Sequence, residues 1–257
     1  MPRKAREKSE SGIYHIILRG INRQTIFEDD EDRKKFLYTL SRYKKTSGYA
    51  IYAYCIMGNH FHLLLKTGAE PLEKVMRRIA GSYVYWYNQK YERIGNLFQD
   101  RFKSEPVETD TYLLTVSRYI HQNPQKAGLV KRPVDYIWSS YNDYFNLHGQ
   151  GLTDTTIILN IFSNNKKTAL DQFVKFTNVT NGDDCLETND RAAKITDDQL
   201  SKIIQNKYHQ KASRIKNESR DKLKDILREI LKIEGVSTRQ LARVTGVSLG
   251  VIWKLKK

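Results

Sequence analysis

The 257-residue sequence predicts an α+β protein: an antiparallel sheet with helices on one face, followed by a small all-α domain. Short runs rich in β-branched and aromatic residues alternate with longer stretches of helical apolar spacing, in the order strand, helix, strand, strand, helix, strand. Two of those runs flank Gly58-Asn59, which is the turn chemistry of a hairpin. Beyond residue 178 the pattern changes to short helical segments with tight capping signals.

Each element has its own warrant. Ile13 to Leu18 reads as the first strand, and the polar loop Arg19 to Gln24 follows it. From about Asp29 to Thr46, Phe36, Leu37, Leu40 and Tyr43 recur on one helical face. Ala50 to Met57 and the run Asn59-His60-Phe61-His62-Leu63-Leu64-Leu65 form the hairpin. A second helix opens near Pro71, a residue suited to a first turn, and repeats Leu72, Val75, Met76, Ile79, Tyr83, Trp86 and Tyr87. Ser104 to Glu108 supplies a fourth strand. Asp110 is the expected N-cap of a third helix with the stripe Leu113, Val116 and Ile120. Pro124 is expected to end that helix, because the residue before a proline is driven from helical geometry. This order is that of the ferredoxin-like split βαβ arrangement, with the histidine run on a central strand. Leu152, Ile157, Leu159, Phe162, Leu170, Phe173 and Phe176 belong to a helical tail that covers the core.

The expected organisation is a first domain over 1–178, an Asn-, Thr-, Gly- and Asp-rich linker over 179–194, and a helical domain over 195–257. In the last of these, Thr196 to Gln199 and Ser237 to Gln240 read as capping boxes, and Leu223, Ile226, Leu227, Ile230 and Leu231 mark a helix between them. Thr245-Gly246-Val247 makes a turn, and Ser248 caps a last helix through Trp253. Trp253, with Val244, Val247 and Ile252, is assigned to the core. A helix-turn-helix is the reading, with Ser248 and Lys254 facing DNA and Lys256 and Lys257 available to phosphates. A small helical bundle for protein contacts is the alternative.

The formal charge of +15 favours a polyanionic partner, since each cation placed on a phosphate releases counterions. Cys55 and Cys185 suggest neither a disulfide framework nor a zinc cluster. The basic N-terminus leads into no signal core, and no run approaches the ~18 apolar residues of a membrane helix. A soluble, cytoplasmic protein is expected.

Chemistry is carried by two constellations. His60 and His62, separated by one residue in a strand, project from the same face and present two imidazoles to one metal ion. Alone, roughly half of such pairs are half-buried sheet decoration. Tyr119 and Asn123 stand four residues apart and share a helix face. Alone, that pair reads more simply as packing and helix capping.

Together with the flanking words, these constellations resemble the single-tyrosine HUH endonucleases, and within them the REP-associated tyrosine transposases and their small insertion-sequence relatives. The carriers are Tyr14-His15-Ile16-Ile17-Leu18-Arg19-Gly20-Ile21-Asn22-Arg23-Gln24, Met57-Gly58-Asn59-His60-Phe61-His62-Leu63-Leu64, Tyr119-Ile120-His121-Gln122-Asn123-Pro124 and a shorter echo at Trp138-Ser139-Ser140-Tyr141. The resemblance spans most of residues 11–178, and the terminal helices resemble those of bacterial replication initiators.

The resemblance implies that His60, His62 and Asn123 hold Mg²⁺ or Mn²⁺ and that Tyr119 attacks a DNA phosphate, leaving a 5′-phosphotyrosine. Asn123 departs from branches of the wider family that place glutamine there. The implied partner is single-stranded DNA with palindromic hairpins, gripped by Arg19, Asn22, Arg23, Gln24, Arg101 and Lys103, with duplex DNA on the C-terminal domain. Phe98 and Phe102 read equally as base-stacking or core residues. His15 and His121 are read as structural or substrate-adjacent, and not as ligands. Relatives include monomers and homodimers, which leaves open whether Tyr119 acts in cis or in trans. The alternatives are a non-catalytic DNA-binding regulator of the same descent and a rolling-circle type nicking enzyme.

Overall fold

The computed structural model describes residues 6–145, 151–183, 185–186, 197–231, 233, 236 and 238–255. The chain divides into two compact units, Met1–Thr188 and Asn189–Lys257.

In the first unit the elements are β1 (Ile13–Arg19), α1 (Asp30–Ser47), β2 (Ala50–Ile56), β3 (His60–Lys66), α2 (Leu72–Lys90), β4 (Lys103–Pro106), α3 (Asp110–Lys126), α4 (Thr156–Phe162) and α5 (Lys166–Asn178). The four strands form one antiparallel sheet in the order β2-β3-β1-β4, so β3 is central, as the ferredoxin-like order requires.

Both faces of this sheet are covered, which corrects the expectation of helices on one face. Strands β1 and β3 are buried almost end to end, as befits near-continuous apolar runs. Helices α1 and α2 seal one face over Tyr14, Ile16, Leu18, Phe61, Leu63 and Leu65. The opposite face carries α3, backed by α4 and α5, against Tyr52, Ala53, Cys55 and Leu64. A register shift between Ile51 and Ala53 lets Tyr52 and Ala53 both serve this second layer.

Local signals position the helices. Asp29 caps α1 by accepting from the Asp32 amide at 3.0 Å, and Gly48, at φ 66°, closes its far end. Lys90 at the end of α2 ties back to Asp29 at 2.8 Å and to the fully buried Asp32 at 2.9 Å. Helix α3 departs from its expected ends. Its N-cap is Thr109, whose hydroxyl accepts from the Tyr112 amide at 3.2 Å, and not Asp110. It also runs through Pro124 to Lys126. Pro124 is itself buried, so tertiary packing holds the turn that backbone preference would open, and the chain leaves the helix at Gly128, φ 70°.

The expected linker begins on residues that instead dock against the first unit. Gln122 donates to the Thr177 and Val179 carbonyls at 2.6 and 3.0 Å, Arg118 grips Asp183 at 2.8 and 2.6 Å, and the Leu186 amide donates to Glu105 at 2.9 Å. Over residues 179–186 the Val179 carbonyl and the Asp183 carboxylate thus pair with α3 and the Leu186 amide with β4.

The second unit contains α6 (Asp197–Tyr208), a 3-10 turn (Ala212–Asn217), α7 (Arg220–Leu231), α8 (Thr238–Thr245) and α9 (Leu249–Lys254). Its core is aliphatic, built on Leu200, Ile204, Ile215, Leu227, Ile230, Leu241 and Ile252. Gly246, at φ 71°, makes the turn between α8 and α9. Trp253 is 64% exposed, which corrects its assignment to the core: Ile252 takes the inward position and its neighbour faces out. Thr196, Ser237, Lys256 and Lys257 lie outside the described residues. Among the described residues no helix is long and apolar enough to cross a membrane.

Candidate functional site

Strand register assembles the site. Across β1 and β3, His62 opposes Ile17 and His60 opposes Arg19; across β1 and β4, Glu105 opposes His15. Side chains alternate along strands, so His60, His62, His15 and Glu105 all point to the face under α3. Tyr119 comes down from α3 with its ring centroid 5.6 Å from that of His62 and 5.8 Å from that of His15. Lys126, two turns along, lies 4.9 Å from the same tyrosine ring.

The polar atoms form a line. The Glu105 carboxylate meets His15 Nδ1 at 2.8 Å, and His15 Nε2 meets His62 Nδ1 at 3.1 Å. His60 Nδ1 contacts Asn59 Oδ1 at 2.6 Å, while His60 Nε2 is buried with no hydrogen-bond partner. An orphaned buried polar atom costs about 1–3 kcal/mol.

Burial, reinforced by the Arg19 charge, pushes His60 down to about 4. Burial also pushes His62 well below its ordinary value, with His60, His15 and Arg19 adding to the effect. Both imidazoles are therefore neutral near pH 7, the form in which a histidine ligates a metal. Burial alone would raise Glu105, yet the hydrogen bonds from His15 and the Leu186 amide leave it below its ordinary value.

These features fit a divalent ion at His60 and His62. Among the described residues no three His, Cys, Asp or Glu side chains are arranged to hold a metal, and both His15 nitrogens are engaged. A third ligand would have to be of another type. Asn123 lies one turn beyond Tyr119, half-buried; its amide nitrogen donates to the Tyr119 carbonyl at 3.3 Å and bonds neither histidine. That leaves the amide oxygen as the atom suited to ligation.

The loop after β1 is held beside this face. Gly20 N donates to Asn59 O at 2.9 Å, and a side chain on Gly20 would sit 2.3 Å from the Gln24 carbonyl, so only glycine fits. Asn22 and Arg23 occupy the left-handed region at φ 50° and 62°, a strained pair of the kind that collects at functional sites. Gln24 is pinned, donating to Leu97 O at 3.3 Å and accepting from Arg93 at 3.4 Å.

Lys103 is exposed on β4 opposite Ile17, on the histidine face. Arg101 is not brought to that face. It lines a cleft of about 370 Å³ with Arg6, Leu18, Arg77, Phe98 and Phe102 on the α2 side, where the two phenylalanines also pack against the core. Ser248 and Lys254 are exposed on the second unit.

His121 belongs to the core. Its Nε2 meets Ser140 Oγ at 2.9 Å, Tyr141, Tyr144 and Phe173 surround it, and burial pushes it down to about 3. The echo at Trp138 to Tyr141 braces the β2 edge, with the Tyr54 amide donating to Ser140 Oγ at 2.8 Å. Glu105 was not among the sequence candidates, because its place beside His15 depends on strand register, which no local pattern announces.

Comparison with known proteins bears on this arrangement. Residues 8–123 match the model of the IS200-like transposase family. A solved REP-associated tyrosine transposase bound to a REP hairpin is similar to the chain at 18% identity and TM-score 0.50, covering 60% of this chain and 93% of that one; the likeness is one of fold. A Deinococcus radiodurans R1 structure named as a transposase shows 20% identity over 47% of this chain and 97% of its own, with TM-score 0.34. No curated protein matches the chain. Over residues 8–123 this chain is thus similar to the IS200-like transposases, a family of DNA transposases.

Proposed function

We propose that the first unit cleaves and rejoins single-stranded DNA beside hairpins, with Tyr119 as nucleophile and His60, His62 and Asn123 as ligands of Mg²⁺ or Mn²⁺. The observation that carries this reading is the buried, unpartnered His60 Nε2 beside His62, with the Tyr119 ring packed edge-on to His62. The bound REP hairpin of the structural neighbour supports the choice of substrate.

Attack by the Tyr119 oxygen on a phosphodiester forms a tyrosine–phosphorus bond and breaks the bond to the 3′ oxygen. The phenolic proton leaves Tyr119 and the 3′ oxygen gains one, so the products are a 5′-phosphotyrosine and a free 3′-hydroxyl. A later 3′-hydroxyl reverses the step, and no energy source is consumed. A bound divalent ion supplies polarisation of a nonbridging phosphate oxygen. The neutral imidazoles offer lone pairs, Arg19 stands across from His60, and the Gly20 to Gln24 turn holds the backbone beside the site.

Tyr112 is the competing nucleophile, but burial and Glu105 push its phenol far up, which disfavours the phenolate. Incubation with Mn²⁺ and end-labelled hairpin-bearing single-stranded DNA should give an adduct stable to denaturing gels, absent in Tyr119→Phe. An adduct that persists in Tyr119→Phe and vanishes in Tyr112→Phe would move the chemistry to Tyr112.

For the second unit, the reading is duplex DNA binding through α8 and α9 as a helix-turn-helix. Its support is the glycine turn between the two helices and the exposure of Ser248 at the start of α9 and of Trp253 and Lys254 along it. Arg243 is already held by Asp197 at 2.6 and 2.8 Å, which leaves Lys254 as the better phosphate contact.

A further inference from the structure

We propose that Glu105 and His15 are positioning residues that set the proton of His62 on Nδ1 and so turn its Nε2 lone pair toward the metal; the proposal rests on the reading of His60 and His62 as ligands. The three side chains come from three adjacent strands, β4, β1 and β3, and stand in one line on the face under α3.

The polarity of that line follows from its end. A carboxylate only accepts, so His15 Nδ1, 2.8 Å away, carries a proton and donates it to Glu105. A His62 that ligates a metal through its other nitrogen keeps its proton on Nδ1, so the facing nitrogen of His15 holds the lone pair. His15 Nε2 therefore accepts from His62 Nδ1 at 3.1 Å, and the unprotonated nitrogen of His62 is Nε2. The two rings lie nearly parallel, with centroids 5.4 Å apart, so the same contact fixes the plane of His62 as well as its tautomer.

His15 is fully buried and both its nitrogens are used, which leaves it no atom for a ligand role. Glu105 is itself held, because the oxygen that meets His15 also accepts the Leu186 amide at 2.9 Å. The docked segment after α5 thereby steadies the outer end of the line. Groups that orient metal-bound histidines from behind typically change metal affinity by about 10–100-fold when removed.

The test uses the full chain, stripped of metal, with Mn²⁺ as the probe and electron paramagnetic resonance to count free ion. Glu105→Ala and His15→Phe should each weaken Mn²⁺ binding by about 10–100-fold, and a matching excess of Mn²⁺ should restore adduct formation. His62→Ala should abolish binding at the site. Nitrogen-15 correlation spectra of the metal-free wild type should show the His62 proton on Nδ1, with the Nε2-protonated form emerging in Glu105→Ala.

Wild-type Mn²⁺ affinity in both variants, with loss in His62→Ala, would overturn the positioning role and leave the ligand assignment standing. Wild-type affinity in His62→Ala would overturn both. Should His15→Phe fail to fold, Glu105→Ala decides alone, since that side chain sits at the sheet edge and is 23% exposed.

Discussion

The two faces of the sheet are built from the same strands and differ in what lies between them and their helices. Under α1 and α2 the layer is apolar, with Phe36 meeting Phe61, Tyr83 and Phe27 at centroid distances of 4.4, 5.2 and 5.3 Å. Under α3 the same strands set Glu105, His15, His62 and His60 in a polar line within an otherwise apolar layer. Aromatic contacts of the first kind stabilise, whereas buried imidazoles, with His60 Nε2 and, on α3, His121 Nδ1 unpartnered, cost free energy. Both faces hold the fold, and the second gives up part of its stability to the polar groups of the proposed site.

The sharpest way to separate the two faces is Tyr119→Phe. The ring and its contacts with His62 and His15 remain, so the thermal midpoint should stay within a few degrees of wild type, while the covalent DNA adduct disappears entirely. A large fall in the midpoint would show that the hydroxyl holds the fold, and the division of labour would fail.

Phe36→Ala is the converse. This residue is fully buried, and its loss should destabilise the first unit by about 3–5 kcal/mol in chemical denaturation. Adduct formed per folded molecule should not change. If activity fell while stability held, the α1 and α2 face would have to be counted as part of the site.

Much of this contrast was legible in the residues, and the remainder was lost for specific reasons. The strand and helix order came through because each element carries a long periodic pattern. The paired histidines came through because one intervening residue fixes their common face. The second helical layer was missed, although the unbroken runs Tyr14 to Leu18 and Phe61 to Leu65 carry its trace, since a strand buried on both sides needs no polar alternation. Helix α3 passed its proline because packing outweighed a local preference. Glu105 and His15 are 90 positions apart and meet only through β1–β4 pairing. Trp253 faces outward because a hydrophobic residue on a short helix declares no direction until its neighbours are placed.

Acid should unmake the second face before the first. His60 is held at about 4 and His121 at about 3 by burial, and His62 is lowered for the same reason, against an ordinary value near 6.5. Below about 6.5 the unfolded chain binds protons that the folded chain refuses, so the stability present above that pH is lost as pH falls toward the folded values. Each such histidine removes on the order of 1 kcal/mol for each pH unit below about 6.5. Denaturant midpoints measured from pH 7 to pH 4.5 should fall steadily. A flat profile would mean that water or rearrangement relieves the buried imidazoles, and the stated cost of the histidine face would be withdrawn.

The smallest effect belongs outside both faces. Lys254 is exposed on α9, and Lys254→Ala removes one candidate phosphate contact without touching either layer of the sheet. Stability of the first unit and adduct formation on single-stranded hairpins should be unchanged. Binding to duplex DNA should weaken a few-fold, and the slope of log affinity against log salt should become shallower by about 1, the signature of one lost ion pair with the backbone. An unaltered slope would remove Lys254 from the contact. Unaltered duplex affinity on deleting residues 195–257 would go further: the helix-turn-helix reading would fall, and any duplex affinity would reside in the first unit.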